Sequence, residues 1–173
     1  MHKILYKELE IAEIVENLAI ETMQMMHKKG MVKPTFLCIL DGAFRFYSDL
    51  VKIIDRPILC DFIKASSYEG TQKTEMKIHK FPKYPIAKRD IIIIDDILDT
   101  GDTLNYIINE LKHYNPKSVS AITLLKRKNS PIIAGLDWYQ YGFELGNEWV
   151  AGYGMDDLED TSRNLNYIFD CQN

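Results

Sequence analysis

Asp95, Asp96, Asp99 and Asp102 crowd into one short stretch, IIIIDDILDTGDTL, running from Ile91 to Leu104. Adjacent carboxylates accept hydrogen bonds from vicinal hydroxyls, or hold a divalent cation through oxygen ligands. Thr100, Gly101 and Thr103 sit where a turn would lead into a helix. Backbone N–H groups at such a turn point outward, and the helix dipole adds partial positive charge, which suits a phosphate. Gly101 permits a close backbone approach, and the two threonines add hydroxyl donors. One ligand satisfies both halves: a polyol that carries a phosphate and comes with magnesium. A phosphorylated sugar fits. The plainer account makes Asp99 or Asp102 a helix N-cap and leaves the other acids solvated. The Asp95–Asp96 doublet, placed directly behind four isoleucines, weighs against it.

These residues need a strand behind them and a helix ahead. Four successive isoleucines lack polar alternation, as expected of a strand covered on both faces by helices. The spacing predicts that strand over Ile91–Ile94 and a helix over Thr103–His113. A parallel strand ending at a loop before a helix is the usual ligand position in open α/β sheets. Apolar positions at Ile11, Ile14, Val15, Leu18, Ala19, Met23 and Met26 predict an amphipathic helix over Leu9–Lys28, with Gly30 as its stop. Further strands are expected at TFLCIL, at Ile58–Ala65 and at Ser118–Leu125, with a helix at FRFYSDLVKII. YQYGFEL and EWVAGYG are short strand candidates. Strands alternating with helices give an α/β domain with a mainly parallel sheet. Ser66–Asp90 is long and polar, carries Lys73, Lys77, Lys80 and Lys83, and reads as a lid, an exposed hairpin, or both.

The chain has 173 residues, expected to form a single domain, with a formal charge of −4 that gives no hint of nucleic-acid affinity. The opening MHKILYKELE has no apolar h-region, so it does not read as a signal peptide. No run of about 18 apolar residues is present to span a membrane. Cys38, Cys60 and Cys171 lack metal-ligand spacing and are expected as reduced thiols in a cytoplasmic protein, the first two buried in strands.

DDILDTGDT resembles the phosphoribosyl-pyrophosphate (PRPP) signature of type I phosphoribosyltransferases. LDGAFRFYSDL resembles the pyrophosphate loop and following helix of the hypoxanthine–guanine branch, and DFIKASSY its strand leading to a flexible loop. LLKRK, GFELGNEWVAGYGMDD and RNLNYI resemble, in order, the purine-binding hood of that branch. The similarity spans roughly Phe36 to Ile168. ILDTG also resembles the aspartic-protease signature, but a single copy in a chain with several helical patterns fits that all-β class poorly.

The resemblance implies a type I phosphoribosyltransferase fold: a mainly parallel central sheet flanked by helices, with a small hood from the C-terminal part and a lid near residues 66–90. It implies a Mg2+-dependent transfer of phosphoribosyl from PRPP to a 6-oxopurine base, in purine salvage, by a homodimer or homotetramer. Asp95 and Asp96 would hold the ribose hydroxyls and help organise magnesium. Asp99 would be the acid/base group facing N7 of the purine. Thr100, Gly101, Asp102 and Thr103 would cradle the 5′-phosphate. Lys126 would donate to the purine O6, Trp149 would stack on the base, and the Val150 backbone would read its edge. Asp156 would support a second metal ion, and Arg163 would contact pyrophosphate. Leu40, Asp41 and Gly42 would form the pyrophosphate loop, where the family often has a strained peptide, and Ser67 and Tyr68 would close over it.

Two positions depart from the pattern. Many relatives carry a cation at the places of Asp41 and Asp102, both near phosphates, and an acid there repels phosphate unless it turns away or is bridged. The stretches Lys126–Gly142 and Asp156–Arg163 also look longer than usual, which leaves Asp156 against Asp157 open. Two other functions remain: a non-catalytic PRPP-binding regulator, and a transferase for another base such as xanthine.

Overall fold

The computed structural model describes residues 3–69, 74–157, 159 and 161–172, with side chains at 67–69 and 74–75 outside the description. Its elements follow in chain order as β1 (Lys3–Tyr6), α1 (Glu8–Lys28), β2 (Thr35–Leu40), α2 (Phe44–Ile53), β3 (Leu59–Glu69) and β4 (Thr74–Lys80). Then come β5 (Asp90–Leu98), α3 (Asp102–Lys112), β6 (Ser118–Arg127), β7 (Trp138–Leu145), β8 (Val150–Ala151) and β9 (Ile168–Asp170). The main sheet has the order β4-β3-β2-β5-β6-β7, and a small sheet has the order β1-β9-β8. Among the described residues, only β4 runs antiparallel in the main sheet.

The isoleucine run becomes the middle of this sheet. Strand side chains alternate between faces, and here Ile92 and Ile94 join one core with Ile11, Val15, Leu18, Phe46 and Leu50. Ile91 and Ile93 join the other, against Leu104, Ile107, Ile108 and Leu111 of α3. So α1 and α2 cover one face and α3 the other, and all four isoleucines are at most 1% exposed. Each buried isoleucine contributes about 1.5–3 kcal/mol. That double cover holds the strand end, and its acids, in place.

Several expectations change in detail. β5 runs on through the acids to Leu98, because Asp95, Ile97 and Leu98 keep pairing with Thr123, Leu125 and Lys126 of β6. Asp95 and Asp96 are therefore strand residues, and the turn begins later. Neither Asp99 nor Asp102 caps α3; Gly101 holds the N-cap position at φ +83°, with no side-chain cap bond. Cys38 is buried, but Cys60 is exposed although it lies in β3. The long polar segment begins as a β3–β4 hairpin, with Ala65 opposite Ile78 and Ser67 opposite Met76. The N-terminal strand β1 pairs with β9, so the small sheet joins both chain ends.

Candidate active site

The pocket is built where β2 and β5 deliver their C-terminal ends side by side, Cys38 pairing with Ile94 in parallel register. A cavity of about 270 Å³ opens there, lined by Leu40, Gly42, Asp95, Asp96, Asp99 and the turn from Thr100 to Thr103 among others. A neighbouring cavity of about 190 Å³ is lined by Asp96, Ile97, Asp99, Arg127, Trp149, Val150, Met155 and Asp156. Asp96, Ile97 and Asp99 border both. The acids thus stand at the junction of a polar hollow and a flatter one.

The carboxylates are placed by tight backbone contacts. Asp95 accepts the Asp96 N–H at 3.0 Å, and Asp96 accepts the Ile97 N–H at 2.8 Å. Burial first, and the Asp96 charge second, push the Asp95 carboxyl well above the ordinary carboxylate range. Burial also raises Asp96, against the lowering effects of Asp95, the Ile97 N–H and the Arg163 cation. A buried and a half-buried carboxylate side by side, with the Arg163 cation near them, favour a bound cation or hydroxyl donors. Gly42 passes so close that a Cβ there would sit 1.8 Å from Asp96 Oδ2.

At the turn, Gly101 adopts the left-handed conformation, and a Cβ on it would press on Ile133 Cδ1 at 2.6 Å. The opening N–H groups of a helix have no partner within it, so the start of α3 offers donors to the larger cavity. Thr100 donates its hydroxyl to Asp102 Oδ2 at 2.7 Å. Ser130 donates to the Leu98 carbonyl at 2.6 Å, drawing the loop after β6 over the turn. The Leu40–Asp41 peptide bond is cis.

The structure gathers Leu40, Gly42, Asp95, Asp96, Asp99, Thr100, Gly101, Asp102 and Thr103 around the first cavity. Trp149, Val150 and Asp156 line the second. Asp41 turns its carboxylate to Lys64, 2.5 Å away. Lys126 lines neither cavity; its ammonium lies 5.3 Å from the centre of the Tyr141 ring and donates to the Arg127 carbonyl at 3.3 Å. Asp156 and Arg163 form one ion pair at 2.8 Å, and Arg163 also donates to the Gly154 carbonyl. Asp157 instead organises its own loop, accepting from Glu159, Thr161 and Ser162. Ser67 and Tyr68 belong to β3, but their side chains lie outside the described residues.

Among the described residues no three metal-ligating side chains come together. The donor set at Asp95 and Asp96 still fits magnesium, which binds through one or two carboxylates and completes its shell with water and phosphate oxygens.

Two residues escaped the sequence reading. Arg127 sets its Nε 3.0 Å from Asp99 Oδ1. Lys64 supplies the countercharge for Asp41. An acid in a loop expected to meet phosphate is itself a signal to look for a compensating cation, and DFIKASSY contains one.

The phosphoribosyl transferase domain model matches residues 3–158. The hypoxanthine-guanine phosphoribosyltransferase of Bacillus subtilis is 36% identical over 170 residues, covering 97% of this chain and 92% of that protein. The chain is also 36% identical to the bifunctional protein TilS/HprT of Listeria innocua, of which it spans 26% of the length. A solved structure of hypoxanthine phosphoribosyltransferase from Trypanosoma cruzi, in complex with the product IMP, superimposes with a TM-score of 0.85 at 27% identity. That match covers 97% of this chain and 92% of the other.

Proposed function

Because this chain belongs to the phosphoribosyl transferase domain family, we propose that it is a transferase of purine salvage, joining hypoxanthine or guanine to the 5-phosphoribosyl group of PRPP. The products are IMP or GMP and pyrophosphate. The observation that carries this is the pair of adjoining cavities that share Asp96 and Asp99. A reaction that joins a base to a sugar needs its two substrates to meet at one carboxylate-lined edge.

The residues divide the work by chemistry. Asp95 and Asp96 accept the ribose hydroxyls and would hold magnesium, which when bound offsets charge on the departing pyrophosphate. Thr100, Gly101, Asp102 and Thr103 present the turn to the 5′-phosphate, backbone donors doing most of the binding. The Leu40, Asp41 and Gly42 backbone faces pyrophosphate, with Ser67 and Tyr68 closing over it to exclude water. The bond from ribose C1 to pyrophosphate breaks as the N9 lone pair of the purine forms the new bond. The N7 proton passes to the Asp99 carboxylate.

Trp149 stacks on the base, Val150 reads its edge, and Lys126 turns from Tyr141 to donate to O6. An ammonium has only donors, so adenine, with an amino group there, would leave it unpaired. Asp156 and Arg163, already paired, would meet a second metal ion and pyrophosphate as a unit. We read residues 1–173 as one domain of a cytoplasmic homodimer or homotetramer. No described helix is long and apolar enough to cross a membrane.

The test is pyrophosphate release with PRPP and Mg2+ against hypoxanthine, guanine, xanthine and adenine, with Asp99→Asn alongside. Turnover of 6-oxopurines but not adenine, with a loss of about 10²–10⁴ in Asp99→Asn, is the expected result. PRPP binding without turnover of any base would replace transfer with sensing. Strong turnover of xanthine alone would move the substrate.

A further inference from the structure

We infer that Arg127 is a positioning residue that ties Asp99 to the backbone segment presenting Trp149, so that ordering the base site and placing the acid/base carboxylate become one event. The inference rests on the roles proposed above for Asp99 and Trp149.

Arg127 ends β6, one residue past the Lys126–Leu98 pair. That register sends its side chain towards Asp99, which follows Leu98 on the neighbouring strand. The Arg127 side chain is only 18% exposed, whereas the Asp99 side chain it meets is 53% exposed. A largely covered arm therefore holds a more exposed carboxylate that lines the pocket. Arg127 Nη1 donates in the other direction, to the Gly146 carbonyl at 2.9 Å and the Glu148 carbonyl at 3.0 Å. Those carbonyls belong to the connection between β7 and β8, which ends at Trp149. From its far side, Trp149 is pinned by the Cys171 N–H, which donates to the Trp149 carbonyl at 2.7 Å.

A guanidinium is planar, always charged, and presents its donors at fixed angles. Its contacts cannot move independently: displacing the Gly146–Glu148 segment rotates the fork and drags the Nε from Asp99. Lysine, with one ammonium on a flexible stem, cannot serve both sides at once. Asp99 makes no other ion pair or side-chain hydrogen bond among the described residues. Without Arg127, no charged or hydrogen-bonding side chain among the described residues would hold its carboxylate. Asp99 Oδ1 is engaged by Arg127, which leaves Oδ2 for a proton on the purine. Trp149, Asp99 and Arg127 line the same cavity, so a base stacking on Trp149 meets a carboxylate whose place the same segment has set.

The test is a double-mutant cycle with Arg127→Gln, Asp99→Asn and both together, plus Arg127→Lys, in the full chain. Trp138→Phe in every variant leaves Trp149 as the single indole. With Asp99 present, Arg127→Gln is expected to lower kcat about tenfold or more, and in the Asp99→Asn background by less than about twofold. Arg127→Lys should not restore kcat, and acrylamide quenching of Trp149 in the free protein should increase in Arg127→Gln. Additive losses in the cycle, full rescue by lysine, or unchanged quenching would each overturn the inference. If the parent protein turned over no base, the proposed function would fall, and the Trp149 quenching alone would decide whether Arg127 holds the segment.

Discussion

Replacing Gly42 with alanine adds a single methyl group and tests whether Asp96 is held by contact with the loop. The new Cβ would lie 1.8 Å from Asp96 Oδ2, when real Cβ atoms essentially never come closer than 3.0 Å. The carboxylate or the loop must therefore give way by more than 1 Å. The loop has little room, because an ideal Cβ on Gly154 would already lie 2.4 Å from the Gly42 carbonyl oxygen. Asp96 has little room either, fixed by the Ile97 N–H and by its place in β5.

A misplacement of about 1 Å in a positioned group costs roughly 10²-fold in rate, which is close to 2.7 kcal/mol of transition-state stabilisation. Overpacking costs a further 1–3 kcal/mol of stability, roughly, or about 2–12 °C in Tm for a domain of this size. Steady-state kinetics with PRPP and hypoxanthine, run beside thermal unfolding, would measure both. Full activity at wild-type Tm would refute the claim that Gly42 is glycine because of Asp96.

Two further predictions follow from charge. Folded Asp95 binds its proton more tightly than the unfolded chain does, because burial and then Asp96 raise it. Ionising it therefore costs stability as pH rises above about 4, and the cost is complete once the folded group has titrated. Asp95→Asn should then raise Tm in metal-free buffer at pH 7 and lose that advantage as pH falls to about 4. Activity should fall at the same time, and an Asn variant less stable than wild type at pH 7 would reverse the reasoning. The Lys64–Asp41 pair has side chains 43% and 48% exposed, so Lys64→Met should cost at most about 1 kcal/mol of stability. It should nonetheless raise the KM for PRPP severalfold, since Asp41 would face pyrophosphate unneutralised. Titrations at several Mg2+ concentrations check this, and an unchanged KM throughout would count against it.

Much of the site was legible because its chemistry is local in sequence. The IIIIDDILDTGDTL stretch contains the strand, the paired acids, the turn and the start of the helix without a break. The lack of polar alternation told of helices on both faces, and the structure divides those isoleucines between two cores. The ordered hood motifs pointed to Trp149 and Val150, which do line the cavity beside Asp99. By contrast, β9 is too short to show periodicity, at three residues; it exists because it pairs with both β8 and the N-terminal β1.

Charge partners were equally hidden. The sequence by itself determined which acids could do the chemistry, because carboxylate identity and spacing along one strand and turn are covalent facts. Only the tertiary structure decided which cations answer them. Lys64 reaches Asp41 because β3 pairs in parallel with β2, opposing Lys64 to Leu40. Arg127 reaches Asp99 because Lys126 pairs with Leu98. A shift of one residue in either register would turn those side chains to the opposite face, and register is settled by burial across the whole sheet rather than by any residue in the pair.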